Sequence, residues 1–99
     1  MQIAKVCGTV VSTQKLDSMR GLKLLVLQTI DSDGRPQPQY EVAADLVGAG
    51  VGEWVLVSRG SAARVESGRE DCPIDALAIG IIDTVSVENG QLYNKKDQY

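Results

Sequence analysis

The constraint that most narrows what this chain can fold into is apolar side chains on both faces of most of its extended segments. A strand with one wet face alternates apolar and polar residues, and here the alternation is largely missing. From Gln2 to Thr13, Ala4, Val6, Gly8 and Val10 share one face and Ile3, Cys7, Thr9 and Val11 the other, neither of them properly polar. Leu22 to Ile30 sets Leu24, Val26 and Ile30 against Leu25 and Leu27. A short helix competes there, but Val26, Thr29, Ile30 and the turn just after them favour a strand. In the stretch from Glu53, Trp54 and Leu56 face away from Val55 and Val57. Ala76 to Val87 is the longest apolar run, with Leu77, Ile79 and Ile81 opposed to Ala78, Gly80 and Ile82. A chain of 99 residues makes one small domain, and such a domain buries little more than about 60% of its unfolded surface. It is too short to shelter both faces of all these strands, so neighbouring copies in a homo-oligomer are expected to cover the rest. A helical partner lying in a groove is the alternative.

The connections predict a barrel. Gly8 and Gly80 stand inside strands, where a bulge or a bend around a closing sheet is expected. Asp31-Ser32-Asp33-Gly34 has the chemistry of a tight reversal, prolonged by Pro36 and Pro38, which cannot join a central ladder. Gln39 to Ala44 alternates, predicting Tyr40, Val42 and Ala44 inward and Gln39 and Glu41 outward. Asp45 to Gly52 reads as a short helical turn capped by glycine, and Cys72-Pro73-Ile74-Asp75 as another single turn. Lys15–Arg20 and Val65–Asp71 read as exposed loops. Asn89-Gly90 between Val87 and Leu92 signals a hairpin with a type I′ turn. The expected class is all-β, a small closed or nearly closed barrel of five main strands with one short helical turn. Residues 1–94 form the single barrel domain and 95–99 a polar, frayed C-terminal tail.

Composition excludes several kinds of chemistry. The net charge of -3 is wrong for a protein that grips phosphate backbones or anionic membranes. The absence of histidine, with only Cys7 and Cys72 as thiols and no CxxC pair, removes the usual zinc sites. Reduced thiols in a cytosolic protein are the expected state. Asp31 and Asp33 lack the remaining ligands of a calcium loop. Gly48, Gly50 and Gly52 resemble a phosphate loop, but no Lys-Ser/Thr follows. Cys72 has no histidine to activate it as a nucleophile. No catalytic residue, metal or cofactor is expected. Nothing in Met1–Lys5 resembles a signal peptide, and no apolar run approaches spanning length.

The remaining feature is Gly60-Ser61-Ala62-Ala63-Arg64, where a core strand gives way to small residues that allow close approach. Arg64 offers a planar fork of donors suited to carboxylates or carbonyl rows, against the plainer reading of a surface turn with one solvated arginine. Together with Met1-Gln2-Ile3-Ala4-Lys5-Val6, Gly8–Thr13, Tyr40–Ala43, Val47–Gly50, Glu53–Val57 and Ile74-Asp75-Ala76 leading into Gly80–Asp83, it closely resembles the EutN/CcmL family of bacterial microcompartment vertex proteins, and within it the carboxysome branch. Cys7, Cys72 and residues 66–71 are not part of that pattern. The resemblance implies an OB-like barrel in a cyclic pentamer. Such pentamers cap the vertices of a polyhedral cytoplasmic shell built mostly from hexameric proteins, here the carboxysome of carbon dioxide fixation. It further implies shell contact through Gly60, Ser61, Ala62, Ala63 and Arg64, and subunit-interface or structural roles for Asp75, Gly80 and Asp83. The same loop could instead buttress the subunit contact. The alternative function is an OB-type module for single-stranded nucleic acid. Such modules need stacking aromatics beside basic residues, and this chain has only Trp54 and three tyrosines on an acidic background.

Overall fold

A computed structural model of the chain describes residues 1–13, 16–60 and 74–98, the side chains of Ser18 and Gln98 excepted. Five strands close into a barrel: β1 (Gln2–Val10), β2 (Lys23–Thr29), β3 (Glu41–Asp45), β4 (Trp54–Arg59) and β5 (Ala76–Ile81). Their order around it is β1-β2-β3-β5-β4. Two further strands, β6 (Thr84–Val87) and β7 (Gly90–Asn94), pair as a separate hairpin. Neighbours in the barrel are antiparallel except β3 and β5. That parallel seam has only two register pairs, Ala44 with Leu77 and Asp45 with Ala78.

The barrel is narrow and filled. Val6, Leu25, Leu27, Val55 and Val57 occupy its interior with Ala4, Ala43, Ala76 and Ala78, small residues where a tight taper leaves little room. The chain hides part of its outer apolar surface itself. Leu22, Leu24, Ala44, Ile74 and Leu77 make one outer cluster, with Val10, Met19 and Ile79 against it. Trp54, Ile82 and Tyr93 make another, joined by Ile3, Ile30, Leu56 and Val85, and this one attaches the hairpin. The surplus is therefore smaller than the strand pattern suggests, but not zero. Tyr40, Val42, Leu46 and Val51 remain between 49% and 68% exposed in the single chain.

Both mid-strand glycines mark bulges. Cys7 is an extra residue between Val6, opposite Leu27, and Gly8, opposite Val26. Ile79 is extra between Ala78, opposite Val57, and Gly80, opposite Leu56. Each bulge reverses the parity of the strand residues beyond it. Val10 accordingly joins Leu24 on the outer face, and Ile81 packs on the interior core, away from Leu77 and Ile79.

Several expectations need correction. In β3, Ala43 points inward and Ala44 lies under the outer cluster, while Tyr40 and Val42 are exposed. The apolar half of that alternation belongs to the outer face, which is covered only at Ala44. The segment after Asp45 is not helical, and the amides of Val47, Gly48 and Ala49 go to the Asp45 carboxylate. The hairpin forms, but its connection is Glu88-Asn89, with Val87 opposite Gly90. Gly90 takes φ +129, and no described non-glycine residue has positive φ, so Asn89-Gly90 is not a type I′ pair. Within the expected loop Lys15–Arg20, Asp17–Met19 is a 3-10 turn. The described part of the expected tail is not frayed. Lys95–Gln98 is a second 3-10 turn, held by the Lys95 amide on the Asp83 carbonyl at 2.8 Å and by Lys95 Nζ on Glu53 at 2.8 Å. Cys72 and Pro73 of the expected turn lie outside the described residues, and Ile74 and Asp75 belong to no helix. The Asp31 turn is as expected: Oδ1 of Asp31 accepts the amides of Asp33 and Arg35, and Gly34 takes φ +80.

Candidate functional site: the two ends of the barrel

At one end the short parallel seam leaves Glu41–Ala43 of β3 without a ladder partner on the β5 side, because β5 begins at Ala76 opposite Arg59. Arg59 bridges the gap from β4. Its Nη1 and Nη2 donate to the two carboxylate oxygens of Glu41 on β3, and its Nε to Oε1 of Gln2 on β1. Nη2 also reaches Oγ1 of Thr29, at the end of β2, at 3.4 Å. A planar guanidinium can hold groups from three strands at once while meeting the carboxylate with two parallel bonds, a fork that a lysine lacks. The Arg59 hydrogen bonds hold the Glu41 carboxyl below its ordinary value of 4.5, against the opposing effect of burial. Arg59 is correspondingly raised, chiefly by Glu41. Above the pair lies a recess of about 620 Å³ lined by Gln2, Thr29, Gln37, Gln39 and Tyr40.

The expected contact segment leaves from this same end. Gly60 follows Arg59 directly, takes φ +67, and donates its amide to the Asp75 carbonyl at 2.8 Å. That left-handed conformation suits glycine. It lets the chain turn off β4 while Asp75 leads back into β5. Ser61, Ala62, Ala63 and Arg64 lie outside the described residues. Gly60 and Asp75 are thus brought together, whereas Gly80 and Asp83 are not near them but toward and beyond the far end of β5. A Cβ on Gly80 would meet Leu56 Cδ1 at 3.5 Å, an ordinary contact, so packing within the chain does not demand glycine there. Asp83 is exposed, and its carbonyl accepts the Lys95 amide.

The opposite end is closed by residues 46–52. Val47 and Ala49 point into the barrel and pack on the interior core. The Asp45 side chain, fully buried, collects the amides of Val47 and Gly48 on Oδ1 at 2.9 and 3.1 Å and that of Ala49 on Oδ2 at 3.0 Å. Glu53 takes the next amide, Gly50, at 2.6 Å on Oε1, while its Oε2 pairs with Lys95 Nζ. These bonds hold the Glu53 carboxyl low, Lys95 contributing most. The superficial phosphate-loop look of Gly48, Gly50 and Gly52 has a physical cause. The amides do converge on anions, but the anions are the chain's own carboxylates.

Sequence reasoning missed both devices. Glu41 reads as an outward polar residue and Arg59 as the end of a strand, and only the barrel's closure brings them together. Asp45 carried a weak signal as an acidic residue just ahead of glycine-rich chain. Arg59, Glu41, Asp45 and Glu53 are all held by partners inside the chain. What the two ends present outward includes the apolar side chains Tyr40, Leu46 and Val51, with the uncharged Gln37 and Gln39 beside Tyr40.

A filled barrel that leaves apolar residues outward has the surface of a protein that contacts other protein. The comparisons agree. The family model described as ethanolamine utilisation protein EutN/carboxysome matches residues 1–83, and the chain belongs to the EutN/CcmL family. It is 68% identical over 99 residues, spanning 100% of this chain and 99% of the relative, to the carboxysome shell vertex protein CcmL of Gloeobacter violaceus. The solved structure of Gloeobacter violaceus CcmL superposes with a TM-score of 0.91 at 67% identity, over 98% of this chain and 100% of that one. The pentameric microcompartment shell protein GrpN of Rhodospirillum rubrum superposes with a TM-score of 0.78 at 46% identity, over 88% and 98% of the two chains. The family's named members are structural shell proteins rather than enzymes.

Proposed function

We propose that this chain forms a closed ring of five that caps the vertices of a carboxysome shell, the compartment of carbon dioxide fixation, and contributes no catalysis. The observation that carries the reading is end-to-end identity of 68% with a named vertex protein, supported by the pentameric relative of the same fold. The geometry is simple. A sheet of hexagons is flat and closes only where five-fold units replace six-fold ones. A head-to-tail contact that closes after five copies supplies such a unit. The apolar residues still exposed on the lone chain are what such contacts would cover. No observation favours the nucleic-acid alternative, and the net charge of -3 speaks against it.

In this reading the neighbours are hexameric shell proteins in the cytoplasm, met through Gly60, Ser61, Ala62, Ala63 and Arg64. Arg64 donates to carbonyls or a carboxylate across the rim. Asp75 serves structurally as the return foot of the segment, whose start it holds through Gly60. Gly80 and Asp83 take subunit-interface or structural roles. Arg64→Ala is expected to leave the ring of five intact by native mass spectrometry while shells in cells become elongated or open. Closed, regular shells carrying Arg64→Ala would remove the rim role.

A further inference from the structure

We infer that residues 46–52 are a preformed contact by which one copy of this chain holds the next, and that Asp45 and Glu53 are the residues that position it; the inference rests on the ring proposed above. Among the exposed apolar side chains, Leu46 and Val51 differ from the others in how they are mounted. Four consecutive amides between them, Val47 to Gly50, are taken by two carboxylates, each itself answered by a lysine. Lys95 Nζ lies 2.8 Å from Glu53, and Lys23 Nζ lies 3.6 Å from Asp45 and donates to the Ala49 carbonyl at 3.3 Å. Val47 and Ala49 anchor the segment in the core from inside. Its far end is tied to β1 by the Gly52 amide on the Val6 carbonyl at 2.8 Å and the Val6 amide on the Glu53 carbonyl at 2.9 Å.

With its inward residues and its amides both committed, the segment presents Leu46, half exposed, and Val51, 68% exposed, on a rigid frame. Gly48 and Gly50 stand between them with bare backbone facing out. Association loses affinity to the ordering of side chains and loops, so an apolar contact that is already ordered binds best per unit area. Met1 lies outside β1 and Val87 stands at the hairpin turn; neither has comparable bracing. Leu46 lies on the same outer face of β3 as Val42, 49% exposed, on the far side of the covered Ala44. The occupant is a second copy. Residues 46–52 carry no charged side chain and the carboxylates that flank them are answered by Lys23 and Lys95, so the segment itself suits an apolar partner, and a relative of the same fold is pentameric.

The test is native mass spectrometry across a dilution series of purified wild type, Leu46→Asp, Val51→Asp, Glu53→Gln and Glu53→Ala, with Trp54 emission reporting that each subunit stays folded. Both aspartate variants place a charge on an exposed position, so the fold is expected to persist. The concentration at which the ring dissociates should rise by about 100-fold or more. Glu53→Ala should raise it about tenfold and speed hydrogen exchange at residues 47–50, because the loop must then be ordered on binding. Glu53→Gln keeps an acceptor for Gly50 and should stay nearer wild type. Leu46→Asp and Val51→Asp rings that dissociate like wild type would overturn the inference and leave the ring itself standing. So would faster exchange in Glu53→Ala with no change in dissociation, since that is the mark of a merely structural role. A wild type with no ring would instead overturn the proposed function.

Discussion

Trp54→Ala is expected to cost about 3–5 kcal/mol, among the largest losses any single change in this chain should produce. Trp54 is 8% exposed and stacks on Tyr93, itself 5% exposed, with ring centroids 4.4 Å apart and planes inclined by 16°. The effect has two parts. One is the apolar area returned to water and the cavity left behind. The other is architectural, since among the described residues β6 and β7 pair only with each other and a two-stranded hairpin is marginal by itself in water. The hairpin is attached to the barrel through Trp54, Ile82 and Tyr93, with Lys95 on Glu53 as a polar latch. Urea unfolding should show the loss. Hydrogen exchange should show faster exchange across residues 84–94 than across β2. A variant losing under about 1 kcal/mol, with exchange in the hairpin unchanged, would mean the stack is not what joins the two units.

Asp45→Ala is expected to be the next most damaging change, at about 3 kcal/mol, because it leaves three amides without their acceptor. One of them, on Ala49, is buried, and the Asp45 side chain itself has no exposure. The informative comparison is Asp31→Ala. Asp31 makes the same kind of bond, to the amides of Asp33 and Arg35, but in an exposed turn where water can replace it. That variant should lose no more than about 1 kcal/mol. Both must be compared with wild type at equal subunit concentration, because ring formation adds to apparent stability. Equal losses at the two positions would show that burial of Asp45 adds nothing.

Much of the barrel could be read from residue order. The strands, the Asp31 reversal and the bulges at Gly8 and Gly80 follow from local chemistry, since β-branched runs, an Asp-Gly turn and mid-strand glycines act where they stand. What escaped depends on partners distant in the chain. Whether Val42 faces core or water is decided by where Leu22 and Ile74 lie, and they cover Ala44 alone. Ile81 changes face because Ile79 bulges against β4, a consequence visible only once the register is known. The Arg59 bridge to Glu41 exists because β5 starts late relative to β3, which no local pattern signals. Lys95 in an apparently loose polar tail has an anchor because Glu53 waits for it 42 positions earlier. Of the expected contact residues, the structure places Gly60 beside Asp75, while Ser61–Arg64 were legible only through their resemblance to a family segment.

If further copies in a closed circle cover the apolar surface left on this barrel, the assembly must be visible in the mass of the purified protein. Native mass spectrometry of the wild-type chain at micromolar concentration should give a dominant species of five times the chain mass. A protein that stays monomeric or dimeric, with Tyr40, Val42, Leu46 and Val51 as exposed in solution as they are on the single chain, would contradict the ring.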